Sequence, residues 1–241
     1  MKEPRDEQGK TLAEFLAEYD PGEYERPSVT VDIALFTLLE AGGFYNLGVL
    51  LVKRGRHPYI HEYALPGGFV ELDEELEKAA ARELYEETGA EGLLLRPFGV
   101  FGAVGRDPRT RVISVGHYAV APMGSVIPKA GDDAAAASFF IVETQLEAKA
   151  ASAETYRMTL FGSRILTARA KLRYDMLGSY PAAAAKGDLA ADHAHVLFSA
   201  LVALNVLPRD RVARLLALGR QELEGEAVDA LDRALSRIPK P

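Results

Sequence analysis

The stretch from Gly68 to Ala90, GFVELDEELEKAAARELYEETGA, constrains this chain more than any other, because it packs eight carboxylates into one segment leading from an extended run into a helix. That much like charge is unfavourable unless a cation sits among it. Leu76, Ala79, Ala80 and Leu84 recur on one face between Asp73 and Thr88, with Gly89 placed to cap the helix. Glu86 and Glu87 follow Glu83 by three and four residues, so all three carboxylates leave one side of the helix. In a water-poor cleft they stay ionised only against a counter-charge, and the hard divalent cations Mg²⁺ and Mn²⁺ prefer oxygen ligands. Glu74, on the expected first turn, is placed to pair with Arg82 and orient the ligating carboxylates. Pro66-Gly67-Gly68 permits a tight backbone approach whose carbonyls complete the coordination.

The rest of the chain reads as alternating strands and helices around that segment. Thr11 and Glu14 form a capping-box pattern ahead of a short helix from about Leu12 to Tyr19. Ser28 to Leu39, Asn46 to Lys53 and His61 to Val70 read as extended stretches before the acidic helix, and Leu93 to Ala103 and Val112 to Ala121 as two strands after it. Gly131 to Ala137 reads as a small acidic loop, Ser138 to Val142 as a further strand, and Leu146 to Ala153 is too rich in alanine to classify. Tyr156 to Tyr174 has the pattern of a hairpin turned at Gly162-Ser163, with Arg169, Lys171 and Arg173 on one face of its second arm. Those cations form a solvated strand face or help to draw in an anionic ligand. From Asp188 onward the pattern is helical, in segments Ala191 to Leu204, Arg209 to Glu222 and Glu226 to Arg237. The boundaries expected are therefore 1–150, 151–187 for a hairpin and linker, and 188–241 for a helical extension.

Composition narrows the classes of function. A net charge of −7 argues against a general affinity for nucleic acid or anionic membrane. The absence of cysteine excludes disulfides, thiolate catalysis and zinc thiolate sites. The N-terminus has no apolar signal region, and the longest apolar run, Ala194 to Leu207, is interrupted by His195, Ser199 and Asn205. The expectation is a soluble, cytoplasmic protein with no membrane or nucleic-acid partner. The apolar stripe Val212, Leu215, Leu216 and Leu218 is expected to serve packing or a homodimer.

The central stretch resembles the Nudix box, G-x5-E-x7-R-E-U-x-E-E-x-G-U with U aliphatic. Gly68, Glu74, Arg82, Glu83, Leu84, Glu86, Glu87, Gly89 and Ala90 fill it, with small Ala90 the weak member. Seven fixed positions would coincide by chance on the order of once in a million. The resemblance implies an α/β fold, an α/β/α sandwich with a mixed sheet, here followed by the hairpin and helical extension. It also implies hydrolysis of a nucleoside diphosphate linked to another moiety with Mg²⁺ or Mn²⁺, metal on Gly67, Glu83, Glu86 and Glu87, and ordering of the site by Glu74 and Arg82. The activating base is then Glu83 or a late-loop acid, Asp132 or Asp133. Flanking matches, Arg26 to Asp32, Leu51 to Gly55, Ala64 to Val70 and Gly105 to Arg109, resemble the branch of ADP-ribose pyrophosphatases and Nudix-related transcriptional regulators of NAD metabolism. They imply ADP-ribose or a similar nucleotide sugar, with Arg54 and Arg106 as planar donors to its oxygens. Ala190 to Ala194 resembles the regulators' junction into a winged helix, but a charge-balanced helical tail without a wing departs from it, so a hydrolase is the favoured expectation.

Overall fold

The computed structural model describes residues 3–129, 134–183 and 187–239. In chain order its elements are α1 (Leu12–Glu18), β1 (Ser28–Ala41), β2 (Phe44–Arg54), β3 (Tyr63–Ala64), α2 (Leu76–Thr88), β4 (Arg96–Phe101), β5 (Val112–Val120), β6 (Ala134–Ala150), β7 (Ala153–Phe161), β8 (Ile165–Asp175), β9 (Gly178–Ala183), α3 (His193–Val206), α4 (Arg209–Leu216) and α5 (Glu224–Leu235). One mixed sheet runs in the order β4-β5-β1-β2-β6-β7-β8-β9, with β3 paired to β2. Only β1 and β5 are parallel among the named strand pairs, from Ser28↔Val112 to Phe36↔Val120.

β1 shows why the sheet is covered on both sides. Val31, Ile33 and Leu35 point one way, into an apolar cluster with Ala79, Ala80 and Leu84 of α2. Ala34, Phe36 and Leu38 point the other way, into a larger cluster reaching Ile238 through α3, α4 and α5. A central strand buried on both faces has to read as a near-continuous apolar run, and β1 does. The result is the expected α/β/α sandwich. α3 is apolar nearly all round, with Val196, Leu197, Phe198, Leu201 and Leu204 at 0% exposure. Burying each such side chain contributes roughly 1.5–3 kcal/mol, so the helix is anchored by packing alone.

Several local expectations are revised. α2 begins at Leu76 rather than Asp73, because Glu74 stands in a turn where its N–H reaches the Glu71 carbonyl and its carboxylate accepts from the Glu71 N–H. Of the stretch His61 to Val70 only Tyr63–Ala64 is a strand; His61 and Glu62 bond to Arg54, and Pro66, Gly68 and Val70 bond to β1, with Pro66 having no N–H to give a ladder. Ala134 to Ala137 belongs to β6 rather than to a loop, and the alanine-rich stretch continues that strand to Ala150, since pairing with β7 overrides weak local propensity. The hairpin stands as read, with Leu166, Ala168, Ala170 and Leu172 buried. The second C-terminal helix stops at Leu216, before Gly219 at φ 82°, and Gly225 lies inside α5 instead of separating two helices. In the apolar stripe, Val212 and Leu216 pack inside the molecule, while Leu215 and Leu218 stay exposed. Among the described residues no helix is long and apolar enough to cross a membrane.

Candidate active site

α2 lies on the sheet through Ala79, Ala80 and Leu84, which leaves Arg82, Glu83, Glu86 and Glu87 at the rim beside Gly67 and Gly68. Gly89 closes the helix at φ 74°, its N–H donating to the Tyr85 carbonyl, as its position in the sequence leads one to expect. The loop before α2 is laid against β1: the Ile33, Val31 and Val70 N–H groups donate to the Pro66, Gly68 and Val29 carbonyls at 2.8, 2.9 and 3.0 Å. Gly67 has to be glycine, because a Cβ there would lie 2.0 Å from the Val31 carbonyl oxygen. Its N–H donates to Glu87 Oε2 at 2.9 Å.

Arg82 is the hub of the acidic face. Nε and Nη2 donate to the two Glu74 oxygens, both at 2.9 Å, and Nη2 also reaches the Phe69 carbonyl at 3.0 Å. Nη1 donates to Glu83 at 2.8 Å and to Glu86 at 3.1 Å. The expected Glu74–Arg82 pair is thus bidentate, the geometry in which a planar guanidinium is strongest. Hydrogen bonding from Arg82 holds the Glu74 carboxyl below its usual range, and Glu74 in turn raises Arg82. Burial pushes Glu83 up in spite of its bond to Arg82. With Glu83 and Glu86 turned to Arg82, and Glu87 to the Gly67 N–H, no three His, Asp or Glu side chains among the described residues meet at one point.

The residues present suit a hard cation by their chemistry. Glu83 lies so close to the Gly68 backbone that a Cβ there would sit 2.4 Å from its carboxylate, so the carboxylate is pressed directly against the loop. The donor set is all oxygen, and a half-buried carboxylate held against its ionisation is the group that a divalent ion relieves.

A cavity of about 1030 Å³ opens from this face. Besides the box residues it is lined by Arg54 at the end of β2, by Arg56, His57 and Tyr59 from the loop that follows, and by Arg106, Asp107 and Arg109 from the loop between β4 and β5. Arg54 lines it with Nε bonded to the Pro58 carbonyl at 2.8 Å. Arg106 lines it too, but its side chain is only 7% exposed and is held by carboxylates: Nε and Nη2 donate to Asp192 at 2.9 and 2.8 Å, and Nη2 to Asp32 at 3.1 Å. Burial opposes the Arg106 charge, yet the two carboxylates keep its pKa above the ordinary value. Asp32 also accepts from Ser114 Oγ at 2.6 Å. Arg109 pairs with Asp107 and lies 5.1 Å over the Phe69 ring, tying this loop to the box. Asp132 and Asp133 lie outside the described residues.

The floor of the cavity was not read from the sequence. Ala190, Ala191 and His193 line it, 100 residues beyond the box. The sole pointer was the resemblance of Ala190 to Ala194 to a junction. His195, two residues on, faces elsewhere and packs edge-on against Phe101 with ring centroids 5.1 Å apart.

The NUDIX domain family model matches residues 30–159. That span runs from β1 through β6 and holds the box helix and most of the residues lining the cavity, and the chain belongs to the Nudix family. It is 37% identical over 108 residues to the "ADPR responsive transcriptional repressor NtrR" of Acinetobacter baylyi, over 44% of this chain and 42% of that protein. It is 45% identical over 92 residues to an ADP-ribose pyrophosphatase of Methanocaldococcus jannaschii, over 38% of this chain and 53% of that one. The match thus spans about half or less of each relative's length. A MutT/nudix family protein from Enterococcus faecalis superposes with a TM-score of 0.61 at 26% identity, over 92% of this chain and 88% of that one.

Proposed function

We propose that this protein hydrolyses a nucleoside diphosphate linked to another moiety, most closely ADP-ribose or a related nucleotide sugar, with Mg²⁺ or Mn²⁺. The observation carrying the reading is the intact box hub, Arg82 bonded to Glu74, Glu83 and Glu86 on one wall of a cavity roomy enough for a dinucleotide-sized ligand. The pyrophosphatase from Methanocaldococcus jannaschii supports the choice of ADP-ribose. Gly67, Glu83, Glu86 and Glu87 would hold the metal, which supplies phosphate neutralisation and a water of lowered pKa.

The chain's own residues account for the rest. Glu74 holds Arg82, and Arg82 keeps Glu83 and Glu86 together at the rim, within reach of a shared ion. Glu83, whose proton affinity burial raises, is suited to take a proton from the attacking water. The basic wall carrying Arg54 and Arg56 sets the diphosphate in line, and Tyr59 offers a flat face to a base or ribose. Arg106 has Nε and Nη2 already given to Asp32 and Asp192, which fixes the guanidinium and leaves Nη1 as the nitrogen it has to offer a ligand. The test is a panel of nucleoside diphosphate derivatives with Mg²⁺ or Mn²⁺, read by phosphate release after phosphatase coupling; turnover is expected to be highest for ADP-ribose. No turnover of any of them would end the reading.

A second reading, an ADP-ribose-sensing regulator, is favoured by the 37% identity to the Acinetobacter baylyi repressor. It requires salt-sensitive binding of operator DNA that ADP-ribose changes, measured on the same preparation.

A further inference from the structure

The C-terminal third of the chain reaches the backbone of the box loop through the side chain of His193. Leu189 bridges in parallel to Tyr63, and the Ala190 N–H donates to the Tyr63 carbonyl at 2.8 Å. Ala191 then takes φ 45°, a left-handed conformation that residues with a Cβ rarely adopt, and the chain doubles back so that the His193 N–H reaches the Ala190 carbonyl at 3.0 Å. This turn aims the imidazole at the segment just passed. The buried Leu65 N–H donates to His193 Nδ1 at 3.0 Å. Because Nδ1 accepts, the ring proton sits on Nε2, which faces Asp32 Oδ1 at 3.9 Å.

Leu65 stands two residues before Gly67, and Pro66 between them has no N–H. The loop therefore has two N–H anchors, Leu65 to His193 and Gly67 to Glu87, while its Pro66 and Gly68 carbonyls are spent on β1. One anchor comes from the box helix and the other from α3. The bond is not needed to attach α3, whose five fully buried apolar side chains already do that. Its consequence falls on the loop.

We propose that His193 is a positioning residue for the metal-binding loop: its Nδ1 bond to the Leu65 N–H lets the C-terminal helices hold Pro66-Gly67-Gly68 against Glu83 and Glu87. The inference rests on the metal reading of the box given above, and it makes the last third of the chain part of the active-site scaffold.

Two variants of near-equal size separate this from a merely structural role. Asparagine places its carbonyl oxygen at the same bond distance from Cβ as Nδ1, so His193→Asn keeps an acceptor for the Leu65 N–H. Glutamine carries its amide one bond further out, so His193→Gln loses it. Mn²⁺ affinity of the substrate-free protein is read by electron paramagnetic resonance of unbound Mn²⁺, with amide deuterium exchange of residues 60–70 followed in parallel. The glutamine variant should weaken Mn²⁺ binding on the order of tenfold and speed that exchange, while the asparagine variant stays close to wild type. Wild-type affinity in the glutamine variant, or an equal loss in both, would overturn the proposal, as would a lower melting temperature with unchanged Mn²⁺ affinity. A wild-type protein that takes up no Mn²⁺ would instead remove the metal reading on which the proposal stands.

Discussion

Two arginines hold this site together, and they differ in where their partners come from. Arg82 bonds Glu74, Glu83 and Glu86, eight, one and four residues away. Arg106 bonds Asp32 and Asp192, which are 74 and 86 residues away, and so joins β1, the loop after β4 and the start of α3. The first hub is a property of one helix and its leading turn. The second exists only once the sheet has brought three distant segments together. Arg82 accordingly stands at an open rim, whereas Arg106 is buried and its loss leaves two carboxylates without their charge partner.

Predictions that disturb the acidic face of α2 while sparing the buried hub, or the reverse, sharpen the contrast. Glu87→Gln keeps an oxygen for the Gly67 N–H but removes a charge from the proposed metal face. Hydrolysis should fall about 10³-fold, equivalent to about 4 kcal/mol of barrier, with the thermal unfolding curve unmoved. Arg106→Leu should do the opposite, lowering unfolding free energy by about 3 kcal/mol in urea titrations. A loss of activity without loss of stability in that variant would make Arg106 a ligand contact after all. Arg82→Lys replaces a planar fork by a point charge and should cost about 10–100-fold in turnover at nearly constant stability.

The pH dependence comes next in size. Burial lowers the pKa of His117, whose Nδ1 faces the Val115 carbonyl, and of His193. A lowered folded-state value means that the unfolded chain binds the proton more readily. The stability from keeping each ring neutral is full above the ordinary value of 6.5 and is lost as pH falls from there towards the folded-state value. Urea titrations at pH 7.5 and 5.5 should show a decline of at most about 1.4 kcal/mol per histidine over that unit, shallower in His117→Leu. Smallest of all is Thr11→Ala. It removes the cap of α1, but α1 buries none of its side chains, so circular dichroism should lose a little helix signal while the global midpoint stays put.

The contrast between the hubs also explains what the sequence made legible. Glu83, Glu86 and Glu87 were readable because helical spacing alone puts them on one side, and Glu74 because a fixed motif pairs it with Arg82. β1 was readable as a strand but not as the shared wall of two cores, which requires knowing that helices cover both faces. Arg106 was readable as a planar donor but not as a lock, since nothing local to Gly105–Arg109 announces Asp32 or Asp192. His193 escaped for the same reason: its partner is a backbone N–H at Leu65, and backbone donors leave no signature in composition or spacing. Of β6 only Ser138 to Val142 was legible as a strand; Ala134 to Ala137 and Leu146 to Ala150 were not, because alanine carries little strand propensity and the neighbouring β2 and β7 decide the conformation there.

The central claim is that the acidic face of α2 turns over a nucleoside diphosphate derivative by means of a divalent cation. The most direct measurement is quantification of AMP released from ADP-ribose by the full chain as Mg²⁺ is titrated in after chelation. We expect AMP and ribose 5-phosphate in equal amounts, rising with Mg²⁺ and vanishing when it is withdrawn; ADP-ribose left intact at saturating Mg²⁺ and Mn²⁺ would contradict the account.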